Sequence, residues 1–484
     1  MTPPPRASTP ASLRRRLRRR RASKRGIALI MVLAAIAVLT VMLTEFQDEA
    51  TSELSGALTD RDALKAEYLA RSGVNLSRLL IAAEPVIRTG LMPMFAMLGM
   101  KSPQLPVWEF SDRVLGAFND AEGGDEFSSL AGVDLSQGKN LGLKDGRFEV
   151  VIVDEDSKLD VNLAARGDAI TEMRVAQQLI GLMSGDQYNP LFEQRDRDGQ
   201  YSDRATICSA IIDWADPDEN LFNCDLKNAG NASATGSEDS FYSFLKVPYR
   251  RKNAAFDSLE ELRLVRGVGD DFWSTFIDPD PSNPKKRVVT VWGQGAVNVN
   301  TANAQTLLAV VCANAPQATI CTDPVKAQSF LMFVGLIRSF TAGAPLFGSP
   351  KDFIKVLKGQ GLLGPMLTAI SGIEPVQFQS EAEALKMLTT ESKVFSIYAD
   401  GIVPGFRRKT TVRIHAVVDF RSAPPPGYPP LPPGATGVPG ATGMPTGTTP
   451  AASTASADAA DTQQAIAGAM APNPGGTIIY WRTE

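Results

Sequence analysis

A basic block that gives way at once to an uncharged apolar run constrains this chain more than any other feature. Residues 26–44 carry no charge over 19 positions, with Arg25 closing one side and Glu45 the other. That length is close to the ~20 residues a helix needs to cross a bilayer. Ten of the first 25 residues are Arg or Lys and none is acidic. Positive flanks stay on the cytoplasmic side, so the chain beyond Glu45 is expected on the far side of the membrane.

Three kinds of tether compete. A secretory signal has an apolar run of about 7–15 residues followed by a small-residue cleavage site. Here the run is longer, and Glu45-Phe46-Gln47-Asp48-Glu49 follows it without Gly or Pro. An ordinary single-pass anchor is the second reading. The third is a prepilin-type leader, residues 1–26, cut between Gly26 and Ile27, which explains a Gly at the charge-to-apolar junction. It also explains a helix expected over residues 27–84, where Leu54, Leu58, Leu64, Leu69, Val74, Leu76, Leu79 and Leu80 recur at helical spacing. At 1.5 Å per residue such a helix reaches roughly 85–90 Å.

Without residues 1–26 the chain would hold 39 basic and 53 acidic residues, a net charge of −14. An acidic exported domain argues against nucleic acid as a partner, because phosphate binding needs positive surface. Cys208, Cys224, Cys312 and Cys321 form an even set, which favours disulfides outside the cytoplasm. Of three possible connectivities, Cys208–Cys224 with Cys312–Cys321 is the most economical, each loop worth about 2–3 kcal/mol in the chain-entropy model. Zinc fits poorly, since no C-x2-C pair occurs and His415 is the only His. His415 is expected on the surface of a strand, without chemistry.

Residues 146–154 alternate as a strand, Asp156-Ser157-Lys158 reads as a turn, and residues 159–163 read as the returning strand of a hairpin. Helices are expected over 170–183, 205–215, from Thr301, over 327–340 and after Ser349-Pro350, and Ser258 with Glu261 suggests a capping box. Strands resume over 393–399 and 408–420. Residues 421–476 are rich in Pro, Gly, Ala and Thr and are expected to be disordered. The β-branched and aromatic end, 477–482, reads as a last strand docking back on the sheet; a floppy terminus is the alternative.

The N-terminal segment resembles the type IV pilin-like superfamily, in particular the K-type minor pseudopilins of type II secretion. The resemblance extends to residues 210–216, 238–242, 248–250, 258–262, 297–302 and the 479–482 ending. Most pilin-like proteins carry Glu at the fifth mature position; here Met31 stands there, K-type subunits likewise lack that Glu, and such a subunit needs no neighbour ahead of it. The implied fold is α+β, a pilin-like long helix and mostly antiparallel sheet interrupted by an all-helical insertion. The expected divisions are 27–84 long helix, 85–163 first part of the pilin-like domain, 164–385 insertion, 386–422 sheet continuation, 423–476 loop and 477–484 final strand. The long Pro/Gly loop departs from the family pattern.

Asp213, Asp216, Asp218 and Glu219, with Glu238 and Asp239, form the acidic cluster of greatest functional interest. Calcium takes six to eight oxygen ligands, and the resemblance implies calcium in the insertion; a solvated acidic loop is the plainer alternative. Asp196-Arg197-Asp198-Gly199 matches an EF-hand loop only in part. Leu262, Val265, Gly267 and Gly269 look like a helix-hairpin-helix, yet Asp270 and Asp271 would repel phosphate, so a structural turn is favoured over DNA contact. No catalytic constellation occurs, and no enzyme is expected. The resemblance implies a tip subunit assembling with I- and J-type minor pseudopilins and the major pseudopilin. It further implies processing by prepilin peptidase, methylation, contact with inner-membrane lipid and a periplasmic large domain. The rival reading is a membrane-anchored protein of DNA uptake or an anchored periplasmic enzyme.

Overall fold

The computed structural model describes residues 12–97, 101–116, 118–119, 146–225, 239–341, 343–361, 363–405, 408–424 and 473–484, with backbone alone over 12–25. The loop expected over 423–476, most of the loop around 227–240, and Glu238 therefore lie largely or wholly outside the described residues. The chain forms two compact units: residues up to 65 with 403–410, and residues 66–402 with 411–484.

Helix α1 (Ser12–Met97) has no break at Gly56 or Gly73. In the first unit its large aliphatic residues, from Ile27 to Leu43, stand in solvent on every side. In the second unit the same helix changes character. Ala66, Leu69, Ala70 and Val74 are fully buried, and small residues bring its backbone against a sheet. A Cβ on Gly401 would lie 1.8 Å from the Ala66 carbonyl oxygen, and one on Gly73 would lie 3.0 Å from Val150 Cγ2.

The helix was expected to stop before Pro85, because Pro removes an i→i−4 bond. It runs on through Pro85 and Pro93 to Met97. Side chains on either side of Pro85 hold it to the body. The buried Glu84 carboxylate accepts the Leu105 amide at 2.9 Å, and Arg88 lies 3.5 Å from Glu84 and 3.0 Å from Glu391.

The main sheet has the order β1-β6-β7-β8, built from β1 (Arg147–Asp154), β6 (Val394–Pro404), β7 (Lys409–Asp419) and β8 (Thr477–Thr483). β1 runs antiparallel to β6, from Arg147 opposite Ile402 to Asp154 opposite Phe395. β8 runs antiparallel to β7, from Thr483 opposite Ile414 to Thr477 opposite Asp419. The C-terminal segment thus closes the sheet as an edge strand.

The expected β1 hairpin does not form. Glu155–Ser157 is a 3-10 turn, and the returning strand shrinks to β2 (Leu159–Asp160), which pairs in parallel with β3 (Val289–Thr290). Residues Val161–Arg166 then coil into a second 3-10 helix, whose N-cap carboxylate, Asp160, accepts the Asn162 amide. A second parallel pair joins β4 (Val297–Asn298) to β5 (Leu388–Thr389). The insertion is therefore predominantly but not wholly helical.

Its hydrophobic core runs through residues 159–388 alone, with Leu179, Met183, Ile207, Ile212, Phe276 and Phe330 among its most buried members. Helix α2 (Ala169–Met183) lies close on α4 (Ala304–Asn314), where a Cβ on Gly181 would meet the Ala309 carbonyl oxygen at 2.3 Å. Between them in sequence lies α3 (Arg204–Ala215), capped by Asp203. Helix α4 begins three residues later than expected, because Asn303 rather than Thr301 takes the capping role through the Thr306 amide. Asp323 caps α5 (Pro324–Phe340), and α6 (Pro350–Leu357) opens on Ser349 and Pro350. The fold is α+β: a long N-terminal helix, an antiparallel sheet, and a mainly helical block between β1 and β6.

Candidate functional site

Helix α3 delivers Asp213 and Asp216 to the head of the acidic loop, and a Cys208–Cys224 disulfide encloses that loop. The second bond joins Cys312 to Cys321. Asp213 Oδ1 accepts the Phe222 amide at 2.8 Å. Arg251 runs beneath the loop, donating from Nη1 to the Asp213 carbonyl at 2.7 Å and from Nη2 to the Asp218 carbonyl at 3.1 Å. Its Nε lies 3.5 Å from Asp239 Oδ1. Asp213 and Asp216 are buried, whereas Asp218 and Glu219 are exposed.

Burial pushes both the Asp213 and the Asp216 carboxyl up to about 7, and their acidic neighbours add to it. Asp216 Oδ1 is buried without a hydrogen-bond partner among the described residues. An acceptor left in that state is costly, and a cation would relieve it. The donor set for calcium is nonetheless partial. Among the described residues, no group of three or more His, Cys, Asp or Glu side chains is arranged to hold a metal ion. Asp196 is no candidate: its oxygens accept the Asp198 and Gln200 amides and the Ser202 hydroxyl.

The Ser258 capping box is absent. Glu261 instead accepts from the Asp257 amide at 2.8 Å, from Trp214 Nε1 at 3.1 Å and from Lys252. These bonds tie the segment after the acidic loop to α3, where Trp214 also contacts the rings of Tyr242, Tyr249 and Phe256. The Gly267 turn packs on the same helix. Gly267 has φ +78°, and a Cβ there would lie 2.5 Å from Ile207, so this position needs Gly on two grounds. Gly269 is extended and has room for a side chain.

A second group of acids, spanning the stretch expected as a strand end, a turn at 156–158 and a returning strand, lies inside the molecule at the end of β1. Asp154, Glu155, Asp156 and Asp160 are all buried. Asp154 Oδ2 accepts the Thr301 and Ser392 hydroxyls. Asp156 accepts the Gln294, Lys393 and Val394 amides at 2.8, 2.6 and 3.1 Å. Glu155 pairs with Lys158 at 2.9 Å and accepts the Thr290 hydroxyl. Burial, with the Asp156 charge second, raises Asp154 to about 8, and burial raises Asp156 and Asp160 to about 7. Against the cost of burial, Lys158 holds Glu155 below its usual range. The cluster fastens the start of β6 and the 290–301 segment to the end of β1.

His415 is not on an open strand face. Its ring stacks on Tyr398 at 4.1 Å, with Tyr480 at 5.1 Å and Trp292 at 5.5 Å, and burial lowers it to about 4. It is neutral at pH 7 and packs as an aromatic ring.

The other site is the first half of α1. From Gly26 onward this helix is long and apolar enough to cross a membrane. Ile27 and Met31, at 55% and 62% exposure, lie within it. No side chain in residues 26–61 is buried.

Three comparisons bear on this arrangement. Residues 157–275 match the family model for type II secretion system (T2SS) protein K. Over 76 residues, 16% of this chain, the sequence is 37% identical to type II secretion system protein K of Pectobacterium carotovorum subsp. carotovorum. That match spans 20% of the relative's own length. Among solved structures, the crystal structure of the GspK-GspI-GspJ complex from the enterotoxigenic Escherichia coli type 2 secretion system matches at 13% identity and a TM-score of 0.32. The match covers 58% of this chain and 76% of that one. The matched segment holds α2, α3, the acidic loop and the Gly267 turn. Through residues 157–275, about a quarter of its length, the chain is similar to the type II secretion system protein K family.

Proposed function

We propose that this protein is a minor pseudopilin that caps the tip of a type II secretion pseudopilus and acts by assembly rather than by turnover. One observation carries the reading. The α1 surface from Ile27 to Leu43 is apolar all round and exposed, whereas the same helix beyond Lys65 buries small residues against a sheet. A helix that is apolar on every side belongs in lipid or among other helices.

Before processing, α1 anchors the chain in the inner membrane with the basic leader in the cytoplasm and the large domain in the periplasm. Prepilin peptidase cuts between Gly26 and Ile27, and the new N-terminus is methylated. The helix then exchanges lipid for packing against the I- and J-type minor pseudopilins and, below them, the major pseudopilin. Met31 offers no carboxylate to the N-terminus of a subunit ahead, which suits the last position. The added core of residues 159–388 makes the subunit too bulky to repeat along a helical stack.

Calcium belongs to this reading through Asp213 and Asp216, with Asp218, Glu219, Glu238 and Asp239 as the remaining oxygen donors. The unsatisfied Asp216 Oδ1 supports it. Binding would hold both buried carboxylates in their charged form.

The deciding experiment is the intact mass of the protein extracted from membranes of producing cells. A chain beginning at methylated Ile27 is expected. A chain that retains residues 1–26 in cells with an active prepilin peptidase overturns the reading in favour of an ordinary anchor.

A further inference from the structure

We propose that a cavity between the 106–110 segment, α5 and α6 binds an amphiphilic monocarboxylate, an aliphatic chain with one anionic head, and that the head is held by Arg338. The cavity measures about 420 Å³, within the range of ligand pockets. Its walls are mostly apolar, with Phe330, Phe333 and Ile337 of α5 and with Phe347, Phe353 and Leu357. A second apolar hollow, lined by Leu105, Val107 and Pro345, shares Pro106, Phe110 and Ala344 with it. The apolar track is therefore longer than the cavity itself, as an extended chain requires.

The polar groups on the wall identify the head. Glu109 pairs with Lys285 at 2.8 Å. Asn300 accepts the Leu346 and Phe347 amides and donates to the Phe347 carbonyl. Thr301 and Ser157 both donate to Asp154, and Asn303 caps α4. Arg338 differs from all of these. Its Nη2 is buried and has no hydrogen-bond partner among the described residues.

The charges balance to the same conclusion. Lys285 and Arg338 together carry two positive charges against the one negative charge of Glu109, which pairs with Lys285. Asp154, raised to about 8 by burial and by Asp156, is mostly uncharged at neutral pH. Burial lowers Arg338 to about 10 against the opposing pull of the Glu109 charge, which Lys285 and Arg338 share, so Arg338 stays cationic. One positive charge remains, and one negative charge completes it. A guanidinium presents a planar pair of donors that matches a carboxylate. The apolar remainder of the cavity excludes a small hydrated anion, because most of the wall offers it no donors.

The test is isothermal titration of the full chain in lipid nanodiscs with octanoate, subtracting the signal of empty nanodiscs. Saturable binding of one octanoate per chain is expected, with octan-1-ol at least tenfold weaker. Arg338→Met should weaken octanoate at least tenfold, and Arg338→Lys should restore most of the loss. Val334→Trp, which fills the cavity and keeps the guanidinium, should abolish binding. The inference is overturned if no saturable signal exceeds that of empty nanodiscs, or if octan-1-ol binds as tightly as octanoate. Unchanged octanoate affinity in Arg338→Met would overturn it equally. Should that variant fail to fold, the comparison of octanoate with octan-1-ol on the unaltered protein decides.

Discussion

Two stretches of this chain carry four acids within seven residues each, and they use them in opposite ways. In residues 154–160 every carboxylate is buried, and all four accept hydrogen bonds from the groups around them. In residues 213–219 two carboxyls are buried and two are exposed, and Asp216 Oδ1 meets no donor among the described residues. Acid density is the same in both. What separates the two is whether the buried carboxyls meet donors, as those of the inner stretch do and Asp216 Oδ1 does not.

Breaking the inner stretch should have the largest effect. Lys158→Met leaves the Glu155 charge buried and unpaired, which costs about 3–5 kcal/mol. Denaturant unfolding of the full chain reads this loss. Adding Glu155→Gln should recover more than half of it, because the stranded charge is then gone. No recovery in the double variant would mean that Lys158 acts through its aliphatic packing. Asp156→Ala strands the Gln294, Lys393 and Val394 amides together, and about 3–4 kcal/mol is expected. A loss under about 1 kcal/mol would show that water satisfies those amides and that the inner stretch is no knot.

Why the inner stretch was not legible in the sequence has a physical explanation. The apolar run, the long helix and the final strand announce themselves through local pattern: charge boundaries, 3.6-residue spacing and β-branched content. The Cys positions limit the disulfides to three pairings, and the local one is what the structure shows. The partner of β1 lies some 240 residues away in β6, and nothing local encodes that distance. Asp156, Ser157 and Lys158 are turn formers, so a hairpin was the natural reading. The one available signal was that apolar residues flank these charges on both sides, at Val150–Val153 and Leu159–Leu163, leaving little to face water. Glu261 misled for a similar reason: its spacing from Ser258 fits a cap, yet Trp214 and Lys252 from elsewhere in the chain claim its oxygens.

The outer stretch owes its order to a covalent loop. In the chain-entropy model the 16-residue separation of Cys208 and Cys224 is worth about 3 kcal/mol. The Cys208→Ala, Cys224→Ala double variant should lose about that much while leaving the sheet's circular-dichroism signal in place below the transition. A loss near zero would mean that Arg251 alone holds the loop.

Burial raises acids to about 7 in both stretches, so both carry a pH dependence, and in the inner stretch it can be read at a single residue. Burial raises Asp160 to about 7, against about 3.9 for an unfolded Asp. Between those values the unfolded chain releases a proton that the folded chain keeps. Stability therefore falls as pH rises from about 4 to about 7, by up to about 1.4 kcal/mol per pH unit from this one group, and levels off above that window. Asp160→Asn should remove this group's share of the slope in melting curves taken across it, leaving the share of the other raised acids. If the slope is unchanged, Asp160 is ionised in the fold and the inner stretch is wetter than its burial implies.

The smallest effect sharpens the contrast most. Asp218 is exposed, and among the described residues its side chain accepts only the Asn220 amide, at 2.6 Å. Its carbonyl, which receives Arg251 and Asn253, survives substitution. Asp218→Ala should therefore cost about 0.5 kcal/mol or less in the presence of a chelator. If calcium binds the loop, adding it in large excess raises the stability of the unaltered chain by roughly 2–4 kcal/mol, as ligand linkage requires. The variant should lose part of that gain. A residue neutral without the cation and costly with it has spare oxygens for a ligand, which no residue of the inner stretch should show. Equal losses with and without calcium would place Asp218 with Asp156, as a purely structural acid.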